Sequence, residues 1–514
     1  MKIWILVVCL GALAVGAHAQ PNPVTVRSAY NFFSRGVKKL ETADFAGAEK
    51  DFDKAIELNA DLIDAHFKRG MARYHLLMYR EAVPDFTKTL QHNSSDAEAF
   101  LYRGICYLKI KEYGTALEDL NRSLQINPNN RRTIYNRGVA FYHRANYIEA
   151  INDLSRAIEM KVEEPDAYVY RADAYHRTGN LQAAQADYSQ AIAAYPKSPD
   201  AYLKRGRIRS RLGNYAGAEQ DLRMAAQLDT VTVDAHRELG LLQSEMERYT
   251  DAAQTYTHVL AKKPTDSLAL MERGIAYFMT KQYDLALADF AAITQKYPKA
   301  DTAFFYNGLI YSAQGDLPAA IQEFTSALNI NKAFPEALLY RGEARFQIGE
   351  LRGAIDDYTK VLELEPGNVE VLVNRGKARE QTGDYVGAFE DLNKAVELAP
   401  ANPKALTYRC ATKVSAGDYV SAIKDCSDAL AVSPQYIEAF VQRARAKFYL
   451  SDFRGAQRDC DQALNLRPDV GQALFFRGQA LVKLGKKNEG CLDLSKAGEL
   501  GVTEAFEKIM QQCN

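Results

Sequence analysis

Tryptophan is all but missing. The chain of 514 residues has one, Trp4, beside 30 Tyr and 22 Phe, so its aromatic surfaces are built from single rings. Histidine is scarce too: the eight present are scattered, with no HExxH and no paired CxxC, which removes the common zinc frameworks. No surplus of charge exists. Lys and Arg number 64 and Asp and Glu 65, leaving a net charge of -1, so there is neither a general basic surface for nucleic acid nor an acidic tail. A phosphate-cradling Gly-rich loop followed by Lys-Ser/Thr is absent, and so is GxSxG or another nucleophile setting. No cofactor is therefore expected, and no catalytic or metal-binding residue stands out. What remains is a globular composition, 47% apolar and 25% charged.

The first residues, "MKIWILVVCLGALAVGAHAQ", differ from the rest. Lys2 is a short positive start, Ile3 to Ala17 an apolar stretch too short to span a bilayer comfortably, and Ala17-His18-Ala19 a small-x-small cleavage pattern. Residues 1–19 read as a secretory signal peptide, leaving Gln20 as the mature N-terminus and no integral membrane segment after cleavage. The protein is expected to be exported: periplasmic, attached to the cell surface or secreted.

A period of thirty-four governs everything beyond. Gly36, Gly70, Gly104, Gly138, Ala172, Gly206, Gly240, Gly274, Gly308, Gly342, Gly376, Cys410, Ala444 and Gly478 follow one another in strict register. Twelve residues after each comes a second small residue, from Ala48 and Ala82 to Ala456 and Gly490. Four further on stands an aromatic, Leu or Cys, as at Phe52, Leu120, Tyr188, Phe290 and Cys426, and Pro often closes the unit, as at Pro128, Pro264 and Pro366. Two helices fit this pattern, a helix A carrying the first small residue and a helix B carrying the second. Gly179, Gly213, Gly315, Gly349, Gly383, Gly417 and Gly485 fall at the turn between them, where a left-handed residue ends a helix. One such hairpin cannot bury its own apolar face, so neighbours must stack.

Period, small–small–aromatic spacing and terminal Pro together resemble the tetratricopeptide repeat family, across essentially the whole mature chain. The family's usual Trp, four residues before the first small position, is replaced by other residues such as Phe32, His66, Phe100 and Tyr168. The resemblance implies an all-α, right-handed superhelical solenoid of about 14 helix-turn-helix repeats plus a C-terminal capping helix. The expected organisation is a linker at 20–28, repeats over 29–502 and the cap at 503–514. The closing residues also resemble the ends of exported bacterial repeat proteins.

Arg precedes the first small position in twelve repeats, and Asp follows sixteen residues after that Arg. Arg103 with Asp119, Arg137 with Asp153, and Arg341 with Asp357 are examples. The two exceptions coincide: the seventh repeat has Leu239 with Thr255, and the ninth Asn307 with Glu323. This joint variation predicts a structural ion pair between helices A and B of one hairpin, in preference to a ladder of arginines for an anionic ligand.

In the family, helix A lines the concave face that takes extended peptides or partner helices. Counted from the small residue, the groove positions are -6, -3, +1, +4 and +5. The resemblance thus points to an apolar patch of Phe67, Met71, Tyr74, His75, Leu101, Ile105, Tyr135, Tyr142 and His143. A basic stretch with Arg177 and Arg207 follows, then a second apolar patch with Met271, Phe278 and Phe305. The implied function is a non-catalytic protein-interaction scaffold or assembly adaptor with a protein or peptide partner. The alternatives are a lumenal or periplasmic holdase-type co-chaperone and a cell-wall or carbohydrate-binding module. Among the six cysteines after the leader, Cys106, Cys410, Cys426 and Cys460 are expected as buried free thiols, whereas Cys491 and Cys513 would meet in a disulfide if the last helices fold back.

Overall fold

In a computed structural model of the protein the described residues are 23–513. The expected signal peptide lies outside them. Among the described residues there are 29 α-helices and no strand. They form an all-α helical repeat solenoid: two helices per 34 residues, fourteen times, and one more helix at the end. The first helix opens at Pro23, so residues 23–28 of the expected linker are helical. The chain divides into two compact units, Met1–Glu247 and Arg248–Asn514. The division falls within the seventh repeat, one of the two that lack both Arg and Asp.

The small residues are explained by distance. A Cβ built on Gly308 would stand 2.5 Å from Cε1 of Phe324, and one on Gly104 would stand 2.9 Å from Cγ of Leu120. Helix A therefore presents bare backbone to the large side chain sixteen residues later on helix B. Phe52, Phe86, Phe290 and Phe324 are fully buried in this way. At Ala172 the facing residue is Tyr188, whose hydroxyl is 2.5 Å from the Asp173 carboxylate.

Every A–B turn in the register has one residue with positive φ. Seven are the glycines expected there, Gly179 to Gly485, and the other seven are Ala43, Leu77, Lys111, Ala145, Glu247, Lys281 and Ser451. The turn geometry is the same at all fourteen; only half the repeats carry the residue that adopts it without steric cost. Helix B is then started by a side chain. Asp44, Asn180, Asn214, Asp316, Asp384, Asp418 and Asp452 each accept a hydrogen bond from the backbone N–H three residues on.

Within each unit, helix A packs against its own helix B and against the helix B before it, and successive A helices also approach each other. Among the described residues B helices show no comparable approach, which places helix A on the inner side of the stack. At the C-terminus the helix Glu504–Gln512 covers the last hairpin, with Val502 and Ala505 buried against the cluster holding Leu474, Phe475 and Leu494. Cys491 and Cys513 are disulfide-bonded, their Cα atoms 5.8 Å apart.

One expectation needs correction. Cys410 and Cys426 are not free thiols but a second disulfide, Cα–Cα 5.6 Å. They occupy the first small position and the facing position sixteen residues later. Where other repeats place glycine against a ring, this one brings two Cβ atoms within bonding reach. Cys106 and Cys460 are free and buried.

Candidate protein-binding face

The arginines are positioned by their aspartates. Arg103 donates through Nε and Nη2 to Asp119, both at 2.7 Å, in a bidentate bond. The same geometry joins Arg137 to Asp153 and Arg341 to Asp357. All twelve pairs form, and each Asp is nearly inaccessible, between 1 and 8% exposed. At Asp85 burial works against the charge. Hydrogen bonds from His66 and Arg69, with the charges of Arg69 and Arg73, nonetheless hold its carboxyl below the ordinary range.

A further partner escapes the spacing argument. In every pair after the first, the remaining Nη1 of the arginine reaches back to helix B of the preceding repeat. Arg103 donates to Thr87, Arg171 to Ser155, Arg341 to Thr325 and Arg409 to Asn393, at 3.0 to 3.2 Å. Arg69 and Arg477 find Asp53 and Asp461 instead. The signal was available: that position holds an acceptor before every paired Arg from Arg69 onward, but it is Arg223 before Leu239 and Ala291 before Asn307. Each arginine from Arg69 onward thus clasps its own hairpin and ties it to the previous one. With its charge spent on these contacts, the arginine ladder is structural.

The inner face of the first unit carries an open cleft of about 420 Å³ between helices A of the second to fifth repeats. Its walls include Tyr74, Ile105, Tyr113, Tyr135, Val139, His143 and Tyr170, with Lys109, Lys111 and Arg132 on one side in charge and Glu164 and Asp166 on the other. His143 stacks on Tyr113 at 4.8 Å, and Tyr170 meets the edges of His143 and Tyr142. Arg132 donates to the hydroxyls of Tyr102 at 3.0 Å and Tyr74 at 3.3 Å, holding two rings upright. Burial pushes the Tyr135 phenol up, and it lowers the His143 imidazole, helped by the nearby charge of Lys111.

The expected groove residues separate into two groups. Tyr74, Ile105, Tyr135 and His143 come together in this cleft. Leu101 and Ile105 are only 3 and 2% exposed, so Leu101 is core, and Ile105 is core with one side on the cleft. Phe67 and Met71 pack on the same core, Phe67 with its ring against Phe86 and Tyr102. His75 is exposed and stacks on Phe45. Tyr142 is half-buried against Tyr170. Arg177 is exposed, and Arg207 pairs with Glu238 at 2.7 Å. In the second unit Met271 is half-buried, Phe278 lies edge-on to Tyr306, and Phe305 packs into a core with Phe334 and Tyr340.

Sequence reasoning missed Tyr113 and Tyr170 as cleft walls. Tyr170 lies two residues before its small position, a place also held by Tyr102, Tyr306, Tyr340 and Tyr408, and that recurrence was its one signal.

Chemically the face offers rings, hydrogen-bond donors and charges of both signs. Burial pushes the Cys106 thiol up to about 12, far from a thiolate. Among the described residues no group of three His, Cys, Asp or Glu is placed to hold a metal ion, and no helix is long and apolar enough to cross a membrane.

Fold and face together define a helical-repeat scaffold of the kind that displays an inner wall of side chains. The chain belongs to the tetratricopeptide repeat family. Models of the tetratricopeptide repeat match residues 97–130, 135–186, 177–230, 237–301, 339–403 and 441–489, and one of the TPR repeat matches 308–349. None of the curated proteins compared matches the chain. Among solved structures it is similar to a tetratricopeptide repeat protein from Parabacteroides merdae, with 21% identity over 48% of this chain and 99% of that one, TM-score 0.43. The APC/C hetero-tetramer Cut9–Hcn1 matches 96% of this chain and 99% of its own at 14% identity, TM-score 0.41. Yeast Tom70 matches 94% of both chains at 15% identity, TM-score 0.33.

Proposed function

We propose that this protein is a non-catalytic scaffold that holds a peptide or helical segment of a partner on the inner face of its first unit. One observation carries the reading: the second to fifth repeats line a single open cleft, with Tyr74, Tyr135, His143 and Tyr170 on its walls, while charges of both signs stand at its mouth. Rigid rings with polar tips supply large contact area at little entropic cost, and the surrounding charges select orientation. The compartment we propose is an exported one. Two cysteine pairs at bonding distance suit an oxidising environment.

The test is photo-crosslinking in the native cell from Tyr135, with Ile148 as the comparison, since it is exposed on a helix B. A defined partner trapped from Tyr135 and not from Ile148 is the expected result. Tyr135→Ala combined with His143→Ala is expected to abolish capture with the helical circular dichroism unchanged. Equal trapping from both positions, or suppression of aggregation without any preferred segment, rejects a specific cleft and favours a holdase. Retention on glycan without protein capture favours a carbohydrate-binding module.

A further inference from the structure

Helix A of five successive repeats carries a basic or imidazole side chain five residues after its small position: His75, Lys109, His143, Arg177 and Arg211. The row breaks at Glu245. In the second unit the same position is Met279, Ala313, Gln347, Gln381, Ser415, Tyr449 and Lys483, so the row is a property of the first unit alone.

Cations at helix C-termini are favoured by the helix dipole without any ligand. This row differs from ordinary dipole complements in what surrounds it. Two other cations of the inner face are matched: Lys204 lies 2.9 Å from Asp173 and 3.0 Å from Asp200, and Arg207 lies 2.7 Å from Glu238. Among the described residues no carboxylate stands within ion-pair distance of Lys109, Arg177 or Arg211. Arg211 instead has its Nη1 2.7 Å from the His176 ring nitrogen Nε2. Burial, with the charges of Arg211, Arg177 and Arg207, holds that imidazole below its ordinary range, so it serves as a neutral acceptor. The row also adjoins two openings: Lys109 lines the aromatic cleft, and Arg211 lines a second cleft of about 380 Å³.

We infer that this row binds the acidic side chains of an extended partner segment, laid from Lys109 to Arg211 across helices A of the third to sixth repeats. The inference rests on the proposed protein-binding role of the same face and names the partner's chemistry. Neighbouring packed helices lie about 10 Å apart, so three steps span about 30 Å. An extended chain covers that in about nine residues. Such a segment sets its carboxylates opposite the cations and its apolar residues in the clefts. A nucleic acid carries charge at every step and would meet Glu164, Asp166, Glu238 and Glu245 on the same walls.

The experiment is fluorescence anisotropy of the purified protein with a fluorescein-labelled decapeptide alternating Glu with Leu and Tyr. The same peptide with Lys for Glu, and an oligothymidine of equal length, are the comparisons. The acidic peptide is expected to bind and the basic one not to. Raised salt weakens the complex, and R177E/R211E weakens it about tenfold or more. Both arginines are exposed, so the variant is expected to keep its circular dichroism; K109E, at the other end of the row, provides a second reading in the same direction. No binding of the acidic peptide, undiminished binding by R177E/R211E, or equal binding of oligothymidine overturns the inference. Crosslinking from Tyr135 separates it from the parent reading: capture that persists in R177E/R211E removes the acidic segment and leaves the scaffold, whereas no capture by the unaltered protein removes the scaffold itself.

Discussion

At the scale of single residues the arginine beside each small position has three attachments, and they differ in worth. Arg341 and Asp357 are 8 and 1% exposed, and Arg345 joins the same carboxylate at 2.7 Å. A buried pair like this contributes little net stability against a hydrophobic replacement, yet losing one member strands the other. Arg341→Ala is expected to cost about 3 kcal/mol. Thr325→Val, which removes the tie to the preceding hairpin together with the hydroxyl's own bond to the Ile321 carbonyl, is expected to cost about 1 kcal/mol. Hydrogen exchange distinguishes them. The first speeds exchange in Pro335–Gln347 and Leu351–Leu364; the second is felt mainly in Leu317–Ile330 and Pro335–Gln347.

Imidazoles set the response to acid. Burial lowers His75, His143 and His176 below the ordinary value of 6.5, and neighbouring cations add to it. The unfolded chain then binds protons more readily than the folded one, so their contribution is whole above that value and is lost as pH falls through the window beneath it. Asp85, held low, adds a second loss in the same direction at more acidic pH. Thermal unfolding followed at pH 7.5 and 5.5 is expected to show the first unit less stable at the lower pH. An unchanged midpoint contradicts this sign.

At the scale of the element, each hairpin is one close contact and one left-handed turn. Leu77 stands in that turn with φ 62° and is 69% exposed. Leu77→Gly is expected to stabilise by about 1 kcal/mol, since a left-handed conformation strains any residue with a Cβ; a denaturation midpoint that falls would refute the strain argument. The close contact suggests a third disulfide. Ala444 and Cys460 are fully buried at the two positions that Cys410 and Cys426 occupy one repeat earlier. In Ala444→Cys the free thiol of the oxidised protein is expected, among the cysteines of the described residues, to be Cys106 alone, counted under denaturing conditions. Two additional free thiols would show that the hairpins differ in their approach.

Helices were legible in the sequence because their contacts recur. Gly104 against Leu120 and Gly308 against Phe324 are the same contact written at one spacing, and fourteen copies make the pattern visible. The backward tie from Arg103 to Thr87 was harder to see, because Thr, Ser, Asn and Asp all serve as acceptors and no single letter repeats. The cysteine pair is hidden because Cys410 and Cys426, each by itself, fit the pattern as small apolar residues. Their shared spacing with glycine and ring was the sign that they face each other.

For the molecule as a whole, ends matter as much as repeats. The last hairpin carries the helix Glu504–Gln512, whose Ala505 is buried in the same cluster as Leu474 and Leu494 and which Cys513 fastens to Cys491. Cys513→Ser is expected to raise hydrogen exchange in that helix and in Lys487–Glu499, with the rest of the second unit unaffected. Protection unchanged in both helices would mean that apolar packing of Val502 and Ala505 alone holds the cap. In the first unit the inner face carries a cleft with walls from several helices.

What the sequence determined by itself was the hairpin, the Arg–Asp clasp and the number of copies. Each depends on contacts inside one 34-residue segment or with its immediate neighbour, so residue type and spacing suffice. Only the tertiary structure decided which inner-face residues are core and which stay open. Leu101 and Tyr135 hold corresponding types of position on neighbouring helices, yet one is buried and the other lines a cleft. That outcome turns on how side chains of unequal size from three or four repeats fill the space between them, and no spacing along the chain records it.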